Sequence, residues 1–273
     1  MGTESFGIHD MGIFIPSARV SLASILQRRA AEDPSLERRL RRAIESTNQV
    51  AVRFTRRWQD PVTLAAQAAR EGLLRTTNTD AIRYFAVGTE SSVDMSKPIS
   101  AYAHGVIQRS GIPLPRTLST YQVQHACAGG TIAMIGVAGM LQASGTPDES
   151  GLVVCTDIAR YQTPSTAEIT QGAGAVAMLV RSNPDLLTLD LASIGFASSD
   201  EDDFFRPLPS ITARVKGRYS VECYNDALDA AFQDHAARRG IPPREVLNQT
   251  DIFVVHVPFY KMAVTGLTRL VER

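Results

Sequence analysis

Neither sign of charge is in excess in this 273-residue chain: Lys and Arg number 28, and Asp and Glu number 28. With no net charge there is no electrostatic footprint for nucleic acid or for an anionic membrane, and neither partner is expected. Cysteine is scarce. Cys127, Cys155 and Cys223 are too few and too scattered for a disulfide framework, and none forms a CxxC or Cys/His zinc pattern. No metal site is therefore expected, and a reducing compartment, the cytoplasm, is. Long apolar runs are missing as well. The most lipid-like stretch, Ala126 to Leu141, falls short of the ~20 residues that cross a bilayer and holds four glycines, so it reads as a helix buried inside protein. Met1 to Asp10 has no basic start and no apolar core, which argues against a secretory signal.

What is present is an ordinary globular balance, 44% hydrophobic and 21% charged, over a length that suits one large domain or two moderate ones. Ile8 to Pro16 predicts an opening strand and Leu22 to Ala43 a charged helical region. The arginines 38, 39, 41 and 42 invite a phosphate-binding reading, but Glu32, Asp33, Glu37 and Glu45 surround them, and a solvated helix face is the better reading. Asp60-Pro61 starts a helix as N-cap and first-turn proline, with Leu64, Ala65, Ala68, Ala69 and Leu73 at helical spacing. Ile82 to Val87 predicts a short strand, Pro98 to Arg109 a helix, and Thr120 to Ala126 an extended segment leading into the buried helix. Leu152 to Thr156, Ala173 to Val180 and Leu186 to Phe196 read as strands, the first two without strict alternation, as in strands covered on both faces. Ser220 is expected to cap a long helix ending near Gly240, and Ile252 to Val257 to form a strand before a helix from Pro258. Alternating helices and strands predict an α/β layered fold.

Chemistry concentrates at three places. Cys127, in His125-Ala126-Cys127-Ala128-Gly129-Gly130, falls where a strand meets a glycine-rich helix. There the helix N-terminus is expected to favour a thiolate, and the glycines to let a substrate reach the sulfur. Cys155 and Cys223 read as structural. Glu90 follows a strand end in Gly88-Thr89-Glu90-Ser91-Ser92, where an acid can face a ligand crevice. His256, near the end of an apolar strand, is a candidate general acid or hydrogen-bond donor beside Cys127.

At these segments the sequence resembles the hydroxymethylglutaryl-CoA synthase family of the thiolase superfamily. The ordered set is Val87-Gly88-Thr89-Glu90-Ser91-Ser92-Val93-Asp94 with Ser96-Lys97-Pro98, Ala126-Cys127-Ala128-Gly129-Gly130-Thr131, Asp157-Ile158-Ala159-Arg160-Tyr161, Thr170-Gln171-Gly172-Ala173-Gly174-Ala175, and His256 with Pro258 and Lys261. The resemblance implies a thiolase-like fold, with a first half spanning residues 1–181 and an incomplete second half spanning 182–273. It implies that Cys127 takes an acetyl group from acetyl-CoA, that Glu90 removes a methyl proton, and that His256 polarises the ketone of acetoacetyl-CoA. Tyr161 and Thr170 would line the acyl pocket and Lys261 would contact the CoA tail. It further implies a homodimer and no metal or redox cofactor, only coenzyme A thioesters as substrates. Glu90 separates this reading from the initiating ketoacyl-ACP synthases, which decarboxylate and need no such carboxylate. A polyketide β-branching synthase acting on an acyl carrier protein, and a non-catalytic thiolase-fold binding or dimerisation subunit, stay open as alternatives. The pathway, mevalonate and isoprenoid or polyketide, stays open too. The family continues beyond the position of Arg273 with glycine-serine and asparagine motifs, so residues 1–273 alone are expected to be a fragment or an inactive chain. The arginine-rich Leu22 to Arg57 region stands where the family usually carries a glycine-rich stretch.

Overall fold

The computed structural model describes residues 5–146 and 148–272. Along the chain run β1 (Phe6–Phe14), β2 (Ala18–Ser21), α1 (Leu22–Glu32), α2 (Glu37–Thr47), β3 (Ala51–Phe54), α3 (Pro61–Leu73), β4 (Ile82–Thr89), α4 (Ile99–Arg109), β5 (Ser119–Gln124) and α5 (Gly129–Ser144). There follow β6 (Ser150–Ala159), β7 (Gly172–Ser182), β8 (Leu187–Leu189), β9 (Phe204–Phe205), β10 (Arg214–Val215), α6 (Gly217–Arg239), α7 (Pro243–Asn248) and α8 (Tyr260–Val271). The chain divides into two compact units: residues 1–19, 53–159 and 172–191 form the first, and residues 20–52, 160–171 and 192–273 the second.

The first unit is built on a six-stranded sheet in the order β5-β4-β6-β7-β1-β8. β4 runs parallel to β5 and β6, and the remaining pairs are antiparallel. The apolar runs at β4 and β6 lack alternation because both faces are covered. Phe85, Val87, Leu152 and Val154 face a core shared with α3 and α4, while Ala86, Val153, Met178 and Val180 face α5 through Ala133, Val137, Ala138 and Leu141. Phe85, Ala86 and Val87 are fully buried, and each large apolar side chain removed from water contributes about 1.5–3 kcal/mol. The Asp60-Pro61 start of α3 closes as a reciprocal cap: Thr63 N–H donates to Asp60 Oδ1 at 2.8 Å and Asp60 N–H to Thr63 Oγ1 at 2.8 Å. The apolar helix beginning at residue 126 is long and apolar enough to span a bilayer by composition, yet its buried side packs on the sheet.

The second unit is mainly helical. The charged region from Leu22 is two helices rather than one, because Asp33-Pro34 ends α1; Asp33 Oδ1 accepts from Ser35 N–H at 2.9 Å and starts a short 3-10 turn. Arg38, Arg39, Arg41 and Arg42 are exposed on α2. Three expectations fail here or at the junction into this unit. Ser220 does not cap α6: the helix starts at Gly217, Ser220 N–H already donates to Lys216 O at 2.9 Å, and its hydroxyl donates to Asp203 Oδ2 at 2.8 Å. The strand expected over Leu186 to Phe196 is confined to Leu187–Leu189, where β1 supplies hydrogen bonds. Residues 252–257 form no strand, since no described strand flanks them, and Val254 is left 93% exposed. Gly240 ends α6 at φ +66°, a left-handed cap that glycine adopts without a Cβ penalty.

Candidate active site

The candidate nucleophile and base meet at the carboxyl ends of the parallel strands in the first unit. β4 ends at Thr89, immediately before Glu90, while β5 ends at Gln124 and turns through His125 into a 3-10 turn, Ala126–Ala128, that leads into α5. Ala126 sits at φ +40°, a conformation that costs a non-glycine residue about 1–2 kcal/mol and that is retained where the surroundings over-determine it. This bend delivers Cys127 to the surface as an exposed residue whose sulfur is turned partly against its neighbours. Three glycines bring strand and helix into backbone contact. A Cβ on Gly88 would lie 2.2 Å from Gly130 N, one on Gly129 would lie 3.2 Å from Thr89 N, and one on Gly130 would lie 2.0 Å from Cys155 Sγ. The glycines beside Cys127 are thus buried against β4 and β6 and serve strand–helix packing.

Asp157, near the end of β6, organises the acidic turn. Its Oδ1 accepts from Thr89 Oγ1 at 2.9 Å, Glu90 N–H at 2.8 Å, Ser91 N–H at 3.0 Å and Ser91 Oγ at 2.7 Å. Ser91 Oγ in turn accepts from Ile158 N–H at 3.0 Å. Burial raises the Asp157 carboxyl above the usual carboxylate value, opposed by these hydrogen bonds. The role of Asp157 is missed by motif reading, although an aspartate closing an apolar parallel strand is the signal that could have marked it. Asp94 anchors the next turn, accepting from Ser96 N–H at 2.8 Å, Lys97 N–H at 3.0 Å and Tyr102 Oη at 2.8 Å, and these bonds hold it down at about 2.

The expectation of a thiolate at Cys127 is overturned. Desolvation of the sulfur, then the Glu90 carboxylate, then Asp157 push the thiol up to about 11. The partial charge at the helix start does not offset two nearby carboxylates, and the 3-10 turn sets the sulfur ahead of α5 rather than on its first turn. Cys155 is likewise pushed up to about 11, by burial and then Asp157, so access rather than acidity distinguishes Cys127.

The remaining candidates lie in the second unit. Tyr161 and Thr170 are half-buried on the loop 160–171, which Gln171 closes by accepting from Tyr161 N–H at 3.1 Å; Tyr161 also stacks edge-on with Phe204 at 6.4 Å. His256 lies in the extended segment before α8, its ring 6.0 Å from that of Tyr224, whose hydroxyl donates to His256 O at 3.0 Å. The His256 side chain is open on one side, and packing on the other lowers its pKa below the ordinary imidazole value, which favours the neutral ring at pH 7. Lys261 is exposed on the first turn of α8. Among the described residues no group of three or more His, Cys, Asp or Glu is placed to hold a metal ion.

The family model described as hydroxymethylglutaryl-coenzyme A synthase N terminal matches residues 3–185, and its C-terminal counterpart matches residues 197–272. The chain belongs to the hydroxymethylglutaryl-CoA synthase family. The hydroxymethylglutaryl-CoA synthase of Enterococcus faecalis is 31% identical over 268 residues, 96% of this chain and 63% of that protein. The synthase of Haloferax volcanii is 34% identical over 184 residues, 67% of this chain and 41% of its own length. A structure of MvaS with 3-hydroxy-3-methylglutaryl coenzyme A superposes with a TM-score of 0.82 at 33% identity, covering 98% of this chain and 63% of that one. A synthase complexed with CoA superposes at 0.84 and 29% identity, covering 97% of this chain and 63% of that one. The fold is therefore the thiolase-like fold of these synthases, and the chain spans about 63% of the length of these structures.

Proposed function

We propose that the protein condenses acetyl-CoA with acetoacetyl-CoA through an acetyl-cysteine. The observation that carries this reading is the placement of an exposed cysteine beside a backbone-anchored glutamate at the carboxyl ends of β4 and β5. An acyl-accepting nucleophile and a carbon base must share such a place. In the first step the Cys127 sulfur attacks the acetyl carbonyl, the CoA–S bond breaks, and the thiol proton ends on the departing CoA sulfur. In the second, Glu90 removes a proton from the acetyl methyl group and the enolate carbon bonds to the ketone carbon of acetoacetyl-CoA. His256 donates a hydrogen bond to the ketone oxygen, and the alkoxide that forms takes up the proton that Glu90 removed, which returns Glu90 to its carboxylate. Water cleaves the cysteine thioester and releases 3-hydroxy-3-methylglutaryl-CoA. Tyr161 and Thr170 line the acyl pocket and Lys261 contacts the CoA tail. Support for these roles comes from the family motifs and from the Asp157 network, which holds the Glu90 backbone in place. The test separates the half-reactions in a synthase of full family length, by intact mass after incubation with acetyl-CoA and by product formation once acetoacetyl-CoA is added: Glu90→Gln is expected to acetylate and not condense, and Cys127→Ala to do neither. An acetyl group mapped only to Cys155 or Cys223 overturns the assignment.

A further inference from the structure

We propose that Arg29, on α1, is a positioning residue for the loop that carries Tyr161 and Thr170; as a statement about acyl binding this rests on the reading that these two residues line the acyl pocket. Glu168 is the one charged residue in the buried class among the described residues, with 6% exposure. Arg29 meets it with a two-pronged fork, Nε donating to Oε2 at 2.9 Å and Nη2 to Oε1 at 2.6 Å, across 139 residues of sequence. Its remaining arm donates to Glu32 Oε2 at 2.5 Å, so the guanidinium is itself held in place. Such a pair is costly to bury and strongly disruptive to break on one side, which makes it a poor general stabiliser and a good fixer of one geometry.

What the pair holds is specific. Glu168 lies in the short turn Thr166–Thr170, whose other side-chain bonds are local: Thr170 Oγ1 donates to Ala167 O at 2.9 Å and Gln171 Nε2 to Glu168 O at 3.2 Å. Gln171 then accepts from Tyr161 N–H at 3.1 Å. A continuous series of contacts runs from Arg29 through Glu168 and Gln171 to the Tyr161 backbone, with Thr170 on the same turn. All of these residues belong to the second unit. The charged region from Leu22 thus contributes one half-buried arginine to the loop.

The experiment measures hydrogen exchange and acetylation kinetics in the full chain for Arg29→Gln, Glu168→Gln and Arg29→Lys. The first two are expected to speed amide exchange over residues 160–171 by about tenfold or more while leaving β6 residues 150–157 unchanged. They should raise KM for acetyl-CoA in Cys127 acetylation by roughly five- to tenfold with kcat moving less than threefold. Arg29→Lys keeps the charge without the fork and should recover part of both effects. Unchanged exchange over 160–171, or an equal increase in β6, refutes the positioning role. Faster loop exchange with an unmoved KM refutes its link to acyl binding. A wild-type chain that fails to acetylate Cys127 refutes the proposed activity instead, and the exchange arm still decides whether Arg29 holds the loop.

Discussion

Replacing Glu90 with glutamine is expected to make Cys127 a better nucleophile toward a small reagent even as it stops condensation. The thiol stands at about 11 against an ordinary 9.0, with desolvation the largest cause and the Glu90 carboxylate the next. At pH 8 a thiol at 11 is ionised to about one part in a thousand, against about one part in ten at 9, a loss of about 100-fold in thiolate. A more basic thiolate is intrinsically more reactive, and a Brønsted slope of about 0.5 returns roughly tenfold, leaving a net handicap of about tenfold. Glutamine removes the charge and keeps the size. If the carboxylate contributes about one unit, within the range for a neighbouring like charge, alkylation at pH 8 should accelerate about threefold and its midpoint should fall by about one unit. The assay is iodoacetamide labelling followed by peptide mapping across pH 7 to 11.5, with Glu90→Asp as the charge-preserving control. Cys155 and Cys223 should label more slowly in all forms because access is restricted. A Glu90→Gln rate equal to or below wild type, with the fold intact, refutes the electrostatic account and leaves desolvation as the whole cause.

Gly88→Ala should destabilise the first unit by about 1–3 kcal/mol or more in urea unfolding, because its Cβ would press on backbone atoms at 2.2 and 2.3 Å that cannot rotate away; a loss under about 0.5 kcal/mol contradicts the close packing of β4 on α5. The Asp94 carboxyl is held down at about 2 from 3.8, so its stabilising contribution is complete above about pH 4 and is lost as pH falls through 2. Asp94→Asn should therefore be less stable than wild type at pH 6, with the gap closing between about pH 4 and 2, and a gap that widens on acidification contradicts this. β5 is an outer strand of the sheet with an open edge among the described residues, so the chain should self-associate at micromolar concentration, and sedimentation of a folded monomer counts against it.

Local signals carry much of this molecule in the sequence alone. The Asp60-Pro61 start of α3, the non-alternating apolar runs of β4, β6 and β7, and the glycine that ends α6 each encode an element through contacts within a few residues. The family motifs likewise name Cys127, Glu90 and the order of their segments. Tertiary structure decides what depends on neighbours far along the chain. The apolar run at residues 252–257 has strand composition but no flanking strand to complete its hydrogen bonds, and stays an exposed extended segment. The state of the Cys127 thiol reverses the local reading, because a helix start predicts a lowered value while desolvation of the sulfur, and then carboxylates delivered by β4 and β6, raise it. Asp157 and Arg29 acquire their roles only by reaching partners 66 to 68 and 139 residues away. Capping, periodicity and turns are short-range energies and can be read from sequence, whereas desolvation and ion pairing depend on which strands and helices the fold brings together.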